Sequence, residues 1–213
     1  MGIENGYAVG KDIRNVERFR NRGVVYMTLC HNGNNDICGS ARYNEENLGV
    51  SEFGEQVIRE MNRVGMMVDL SHAGERSFYE ALEISRCPVV CSHSSCRALC
   101  DHPRNLTDEQ LKAIARLGGV VQVCLYGGFL ASGRPATVCD AVEHLHHMVN
   151  LMGIEHVGIG TDFDGDGGII GCNDSSELIN FTRRLLQERY GEEDIRRIWG
   201  GNFLRVMEEV QRV

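Results

Sequence analysis

The segment from Val64 to Ser95 constrains the fold more than any other part of the chain. It reads VGMMVDLSH, then a helical run, then CPVVCSHSS. Met66–Leu70 and Pro88–Cys91 are short apolar stretches of strand-forming composition, bounded by small polar residues. Between them, Glu75–Ser85 has helical spacing, with Phe78, Leu82 and Ile84 on its apolar side. A strand, a helix and a second strand in this length form a crossover unit, so the two strands are expected to lie parallel. Each leads into a histidine, His72 and His93. Parallel neighbours carry both imidazoles to one C-terminal sheet edge, which is the active-site face of a (β/α) barrel. Neutral imidazole is a common metal ligand, so the pair is a candidate metal site. From this unit alone, two unrelated histidines near strand ends remain the alternative.

The same alternation runs through the whole chain. Strands are expected at Val24–Cys30, Met66–Ser71, Val89–Ser92, Val120–Leu125 and Val157–Thr161, with the first residues as a candidate sixth. Helices are expected over Lys11–Arg22, from the N-cap Ser51, over Glu75–Ser85, from the N-cap Thr107, and over Cys139–Met152, Ser175–Tyr190 and Glu192–Val213. Each strand ends near a polar group suited to chemistry: Glu4, His31, His72, His93, Tyr126 and Asp162. One such residue per strand end is the arrangement of a TIM-barrel active site, and it moves the balance toward metal for His72 and His93. With no linker and no composition break, residues 1–213 read as one domain. A closed barrel takes eight strands and about 250 residues. The expected fold is therefore α/β, a (β/α)8 TIM-barrel type that is incomplete.

Composition narrows the partners. A net charge of −8 argues against nucleic acid or an anionic membrane surface. No apolar run reaches membrane-span length and the N-terminus lacks signal-peptide form, which favours a cytoplasmic location. The nine cysteines are odd in number and contain no C-x-x-C pair. Cys30, Cys91 and Cys124 sit inside apolar strands and read as small hydrophobes. The group Cys87, Cys91, Cys96 and Cys100 does not match zinc-module spacing and reads as structural.

Glu4, His72 and His93 together make a two-imidazole, one-carboxylate set, suited to a catalytic zinc with a position open to water. Such an ion lowers the pKa of water toward neutrality. Asp162 is placed to take that proton and return it to a leaving amine. His31 is placed to polarise a carbonyl, and Arg104, in a loop above the same face, to hold a carboxylate bidentately, with a surface arginine as the alternative. Tyr126 is the weakest member of the set, because tyrosine at a strand end often only packs. Two decoys are set aside. DFDGDG from Asp162 opens like an EF-hand loop, but its twelfth position is Asn173 and a strand precedes it. HLHH from His144 lacks the HExxH pattern and reads as an exposed helix face.

Taken in order, IENG, TLCHNGNN, VDLSH, CSHSS, PRNL and GTDFDG resemble the motifs of the membrane (renal) dipeptidase family of zinc peptidases over essentially the whole chain. The resemblance implies a TIM-barrel metallodipeptidase with a binuclear zinc centre that splits dipeptides. It implies that Glu4 bridges the metals and that His72 and His93 ligate one zinc. It further implies that His31, Arg104 and Tyr126 contact substrate and that Asp162 shuttles the proton. The family's N-terminal H-x-D motif is absent, and the chain opens at what corresponds to the third strand. We therefore expect a truncated member lacking two strand–helix units, with one zinc or fewer, poor activity, and instability or homo-oligomerisation through open sheet edges. Two other readings are another metal-dependent amidohydrolase on the same barrel and a non-catalytic remnant.

Overall fold

The computed structural model describes residues 1–212, and Val213 lies outside the described residues. The fold is α/β of the TIM-barrel type, with six strands among the described residues that alternate with helices. It divides into two compact units.

The first unit holds Met1–Cys91, Leu117–Gly119 and the C-terminal residues from Leu204. Its strands are β1 (Gly2–Ile3), β2 (Tyr26–Thr28), β3 (Met67–Asp69) and β4 (Val90–Cys91). They pair in parallel in chain order, with Ile3 opposite Met27, Thr28 opposite Asp69, and Asp69 opposite Val90. The crossovers are α1 (Arg14–Asn21), α2 (Glu52–Arg63) and α3 (Glu75–Ile84). The Ser51 side chain caps α2 by accepting from Gly54 N, which satisfies one of the four donors a helix start leaves over. Val57, Ile58 and Met61 of α2 are fully buried, and of the expected apolar side of α3 Phe78 and Leu82 are buried while Ile84 is half-buried. Burying a side chain of this size contributes about 1.5–3 kcal/mol.

The second unit holds Ser92–Arg116 and Val120–Phe203. Its strands β5 (Val120–Cys124) and β6 (Val157–Gly160) are parallel, with Val121 opposite Val157 and Cys124 opposite Gly160. Around them lie α4 (Asp108–Arg116), α5 (Gly127–Leu130), α6 (Val138–Met152), α7 (Leu178–Gln187) and α8 (Glu192–Arg196). A Cβ on Gly160 would stand 1.9 Å from the Ser92 carbonyl oxygen. Glycine there is what lets β6 run against the backbone that carries His93.

Three expectations need correction. Glu192–Val213 is not one helix: α8 gives way to a π-helical turn at Arg197–Gly201 with non-helical backbone at Gly200, and α9 (Asn202–Val210) follows. Consecutive glycines, Gly200 and Gly201, bring the lowest helix propensity short of proline. The strands stop short of their histidines, because the chain has already turned. Asp69 shows how: its carboxylate accepts from Ser71 N at 3.0 Å. Lastly, His144 does not lie on an exposed face; it is 1% exposed. Among the described residues, no helix is long and apolar enough to cross a membrane.

Candidate active site

Glu4, His31 and His72 meet in the first unit. Glu4 Oε1 lies 3.0 Å from His72 Nε2 and 3.7 Å from His31 Nε2. The two imidazole centroids are 4.3 Å apart and tilted by 38°. The His72 side chain is 6% exposed, whereas those of Glu4 and His31 are each 42% exposed. A buried imidazole thus faces a carboxylate that water or a ligand can reach.

The local backbone explains the arrangement. His72 has φ 70 and Asn5, next to Glu4, has φ 82. Non-glycine residues with positive φ are costly and concentrate at functional sites. Asn5 is one of the residue types that tolerate this region, and its side chain also accepts from Tyr7 N. Below His72, the Thr28 hydroxyl donates to the fully buried Asp69 carboxylate at 2.6 Å. That bond and the one from Ser71 N pin the turn that presents the ring. A long run of loop hydrogen bonds fixes the other side: Ser40 Oγ donates to the His31 carbonyl at 2.6 Å.

The donor set has the chemistry of a cation site. His72 Nδ1 lies 3.2 Å from Asn32 Oδ1. A carbonyl oxygen only accepts, so in the tautomer that bonds to Asn32 the hydrogen is on Nδ1. In the neutral ring this leaves the lone pair on Nε2, aimed at a carboxylate oxygen 3.0 Å away. Two lone pairs at that distance call for a proton or a cation between them. The Asn32 bond is also the outer support that metal-bound histidines typically have.

The second unit holds His93, Arg104, Tyr126 and Asp162. The Ser92 hydroxyl is 2.8 Å from His93 Nδ1, which directs Nε2 toward other partners. Arg104 is 3% exposed, so it is not a surface arginine. Its Nη2 donates to the His93 carbonyl at 3.3 Å, and its guanidinium lies 5.3 Å from the centroid of Phe129. Tyr126 packs edge-on against the same ring at 4.7 Å. Asp162 has φ 56. Its carbonyl accepts from Gly165 N and Gly167 N at 2.9 and 2.6 Å, closing a tight acidic turn unlike an EF-hand loop. The Cys124 thiol donates to Asp162 Oδ2 at 3.7 Å. Burial first, and the Asp162 charge second, push that thiol up to about 12, so it stays a donor.

Sequence reasoning missed Asn32, Asp69, Ser92 and Phe129. Asp69 carried a signal, since a carboxylate inside the apolar run MMVDL needs a partner when buried. Phe129 sits on the four-residue helix α5, too short for periodicity to reveal.

A profile of the membrane dipeptidase family, peptidase family M19, matches residues 1–213. The chain belongs to this family. It is 37% identical to a dipeptidase of Schizosaccharomyces pombe whose activity is uncharacterised, covering 100% of this chain and 53% of that protein. It resembles the crystal structure of the probable dipeptidase PvdM from Pseudomonas aeruginosa at a TM-score of 0.95 and 28% identity, over 100% of this chain and 69% of that one. A metallopeptidase from Rhodobacter sphaeroides, solved with a phosphinate mimic of the dipeptide L-Ala-D-Ala, aligns at a TM-score of 0.88 and 29% identity. That alignment covers 99% of this chain and 62% of the other. The M19 chain described here spans about half the length of the curated relatives it matches.

Proposed function

We propose that this M19 chain acts as a zinc-dependent dipeptidase, with Glu4, His72 and His93 holding the metal. Each of the three offers one ligand atom. The observation that carries the reading is the Glu4–His72 contact, in which Asn32 fixes the ring so that Nε2 faces the carboxylate. When bound, zinc supplies Lewis acidity that lowers the pKa of water.

The chain's own residues do the rest. Arg104 takes the substrate's C-terminal carboxylate, with Phe129 backing the guanidinium and excluding water from one side. Tyr126, 37% exposed, contacts the bound dipeptide from the rim. His31 donates from Nε2 to the oxygen of the scissile carbonyl as charge builds there. Asp162 accepts a proton from the attacking water and delivers it to the leaving amine nitrogen. Its carboxylate is oriented for this by the Cys124 thiol.

The test is zinc per chain by elemental analysis, with hydrolysis of a simple dipeptide, on this chain and on one extended upstream. Zinc that binds with His72 present and is lost in His72→Asn, together with turnover in either chain, supports the reading. Neither chain binding zinc nor cleaving a dipeptide would refute it.

A further inference from the structure

Two buried side chains tie the loop 94–106 to the short helix α5. His144, on α6, accepts at Nδ1 from Cys96 N at 3.0 Å, and its Nε2 lies 3.2 Å from the Leu130 carbonyl. Because Nδ1 receives a hydrogen, Nε2 carries the ring's own hydrogen and donates it to Leu130. Asn105, 1% exposed, donates from its amide nitrogen to the carbonyls of Cys100 and Phe129, both at 2.8 Å. Each brace runs from the loop to the last residues of α5. Arg104 precedes Asn105 in the chain, and its guanidinium rests on Phe129. These braces therefore help hold the loop's arginine against the helix's aromatic ring, alongside the bond from Arg104 Nη2 to the His93 carbonyl. Burial pushes the His144 pKa down to about 4, so the ring stays neutral and keeps one acceptor and one donor.

We infer that His144 is a positioning residue for the carboxylate-binding corner formed by Arg104 and Phe129. It sets affinity for the substrate's terminal carboxylate without touching substrate. The inference rests on the dipeptidase reading, in which Arg104 binds that carboxylate.

The experiment measures, by calorimetry on the zinc-supplemented chain, binding of the phosphinate mimic of L-Ala-D-Ala and of its C-terminal carboxamide. Wild type is expected to prefer the carboxylate form. His144→Leu should lower that preference at least tenfold and leave carboxamide binding unchanged. His144→Asn, which keeps an acceptor near the Nδ1 position, should recover part of it. Asn105→Ala, which cuts the second brace, should repeat the loss and serves if His144→Leu does not fold. Equal weakening of both probes in these variants assigns His144 to packing alone and overturns the inference, while the dipeptidase reading survives. Wild type that binds the two probes equally overturns the role of Arg104 and the inference with it.

Discussion

His72 and His144 are both buried histidines, 6% and 1% exposed, yet their surroundings differ in every other respect. His72 stands in a turn with left-handed backbone, and its Nε2 faces a half-exposed carboxylate. His144 stands in the middle of a fifteen-residue helix, with both nitrogens on backbone groups. The first ring is held by one nitrogen and presents the other. The second is satisfied at both ends and presents nothing. Burial by itself therefore does not mark a ligand. A strained backbone, an outer support on one nitrogen and a carboxylate on the other are what set His72 apart and support the proposal that it holds a metal.

The largest effect is expected at His72. His72→Asn, chosen because asparagine tolerates positive φ, should lose zinc and lower kcat/KM by about 1,000-fold or more, since a Lewis-acid metal is worth several kcal/mol. Its thermal midpoint without metal should barely move. Zinc retained at wild-type stoichiometry in this variant would remove His72 from the ligand set.

His144→Leu should do the reverse. It strands the Cys96 N–H and the Leu130 carbonyl, so urea unfolding should show a loss of about 3 kcal/mol, with zinc content unchanged. The same residue gives a pH signature. Its folded pKa, about 4, lies below the ordinary 6.5, with burial the main cause and His147 a smaller one that Asp140 opposes. As pH falls below 6.5 the unfolded chain takes up a proton that the folded chain refuses until about 4. The stabilisation is complete above 6.5 and declines between 6.5 and 4, by up to about 1.4 kcal/mol per pH unit. Asp140, held low mainly by Arg134, loses its contribution only at more acidic pH, below 3.8. Stability curves of wild type and His144→Leu that run parallel from pH 7 to 4 would sink this account.

Asn32→Ala sharpens the contrast from the other side. It removes the partner of His72 Nδ1 and should weaken zinc by about 10- to 100-fold, read by competition with a chelator. An unchanged affinity would mean that the strained turn alone orients the ring. The smallest effect is expected from Tyr126→Phe. It keeps the ring on Phe129 and removes only a rim hydroxyl, so KM for a dipeptide should shift about two- to fivefold. A larger change would place the hydroxyl against the reacting bond.

Much of the site was legible along the chain because it sits where strands end. Glu4, His31 and His72 each follow a short apolar strand, and parallel pairing in chain order brings His72 within 3.0 Å of the Glu4 carboxylate and His31 within 3.7 Å of it. Other parts were not legible, for a common reason. The burial of His144 depends on a loop 48 residues away that needs an acceptor for Cys96 N. Periodicity put His144 and His147 on one helix face but carried no information about what would pack there. The half-buried His147 pairs instead with Asp108 of α4 at 2.8 Å.

By itself, then, the sequence determined the alternation of strands and helices, their parallel sense, and the residue types at the strand ends. These follow from apolar periodicity and chain connectivity, which are local properties. Tertiary structure alone decided that Arg104 is buried against Phe129, that Asn32 meets His72 at Nδ1, and that His144 is a brace rather than a surface residue. Each of these depends on a polar group finding its partner from a distant stretch of chain. Only packing determines which partner arrives.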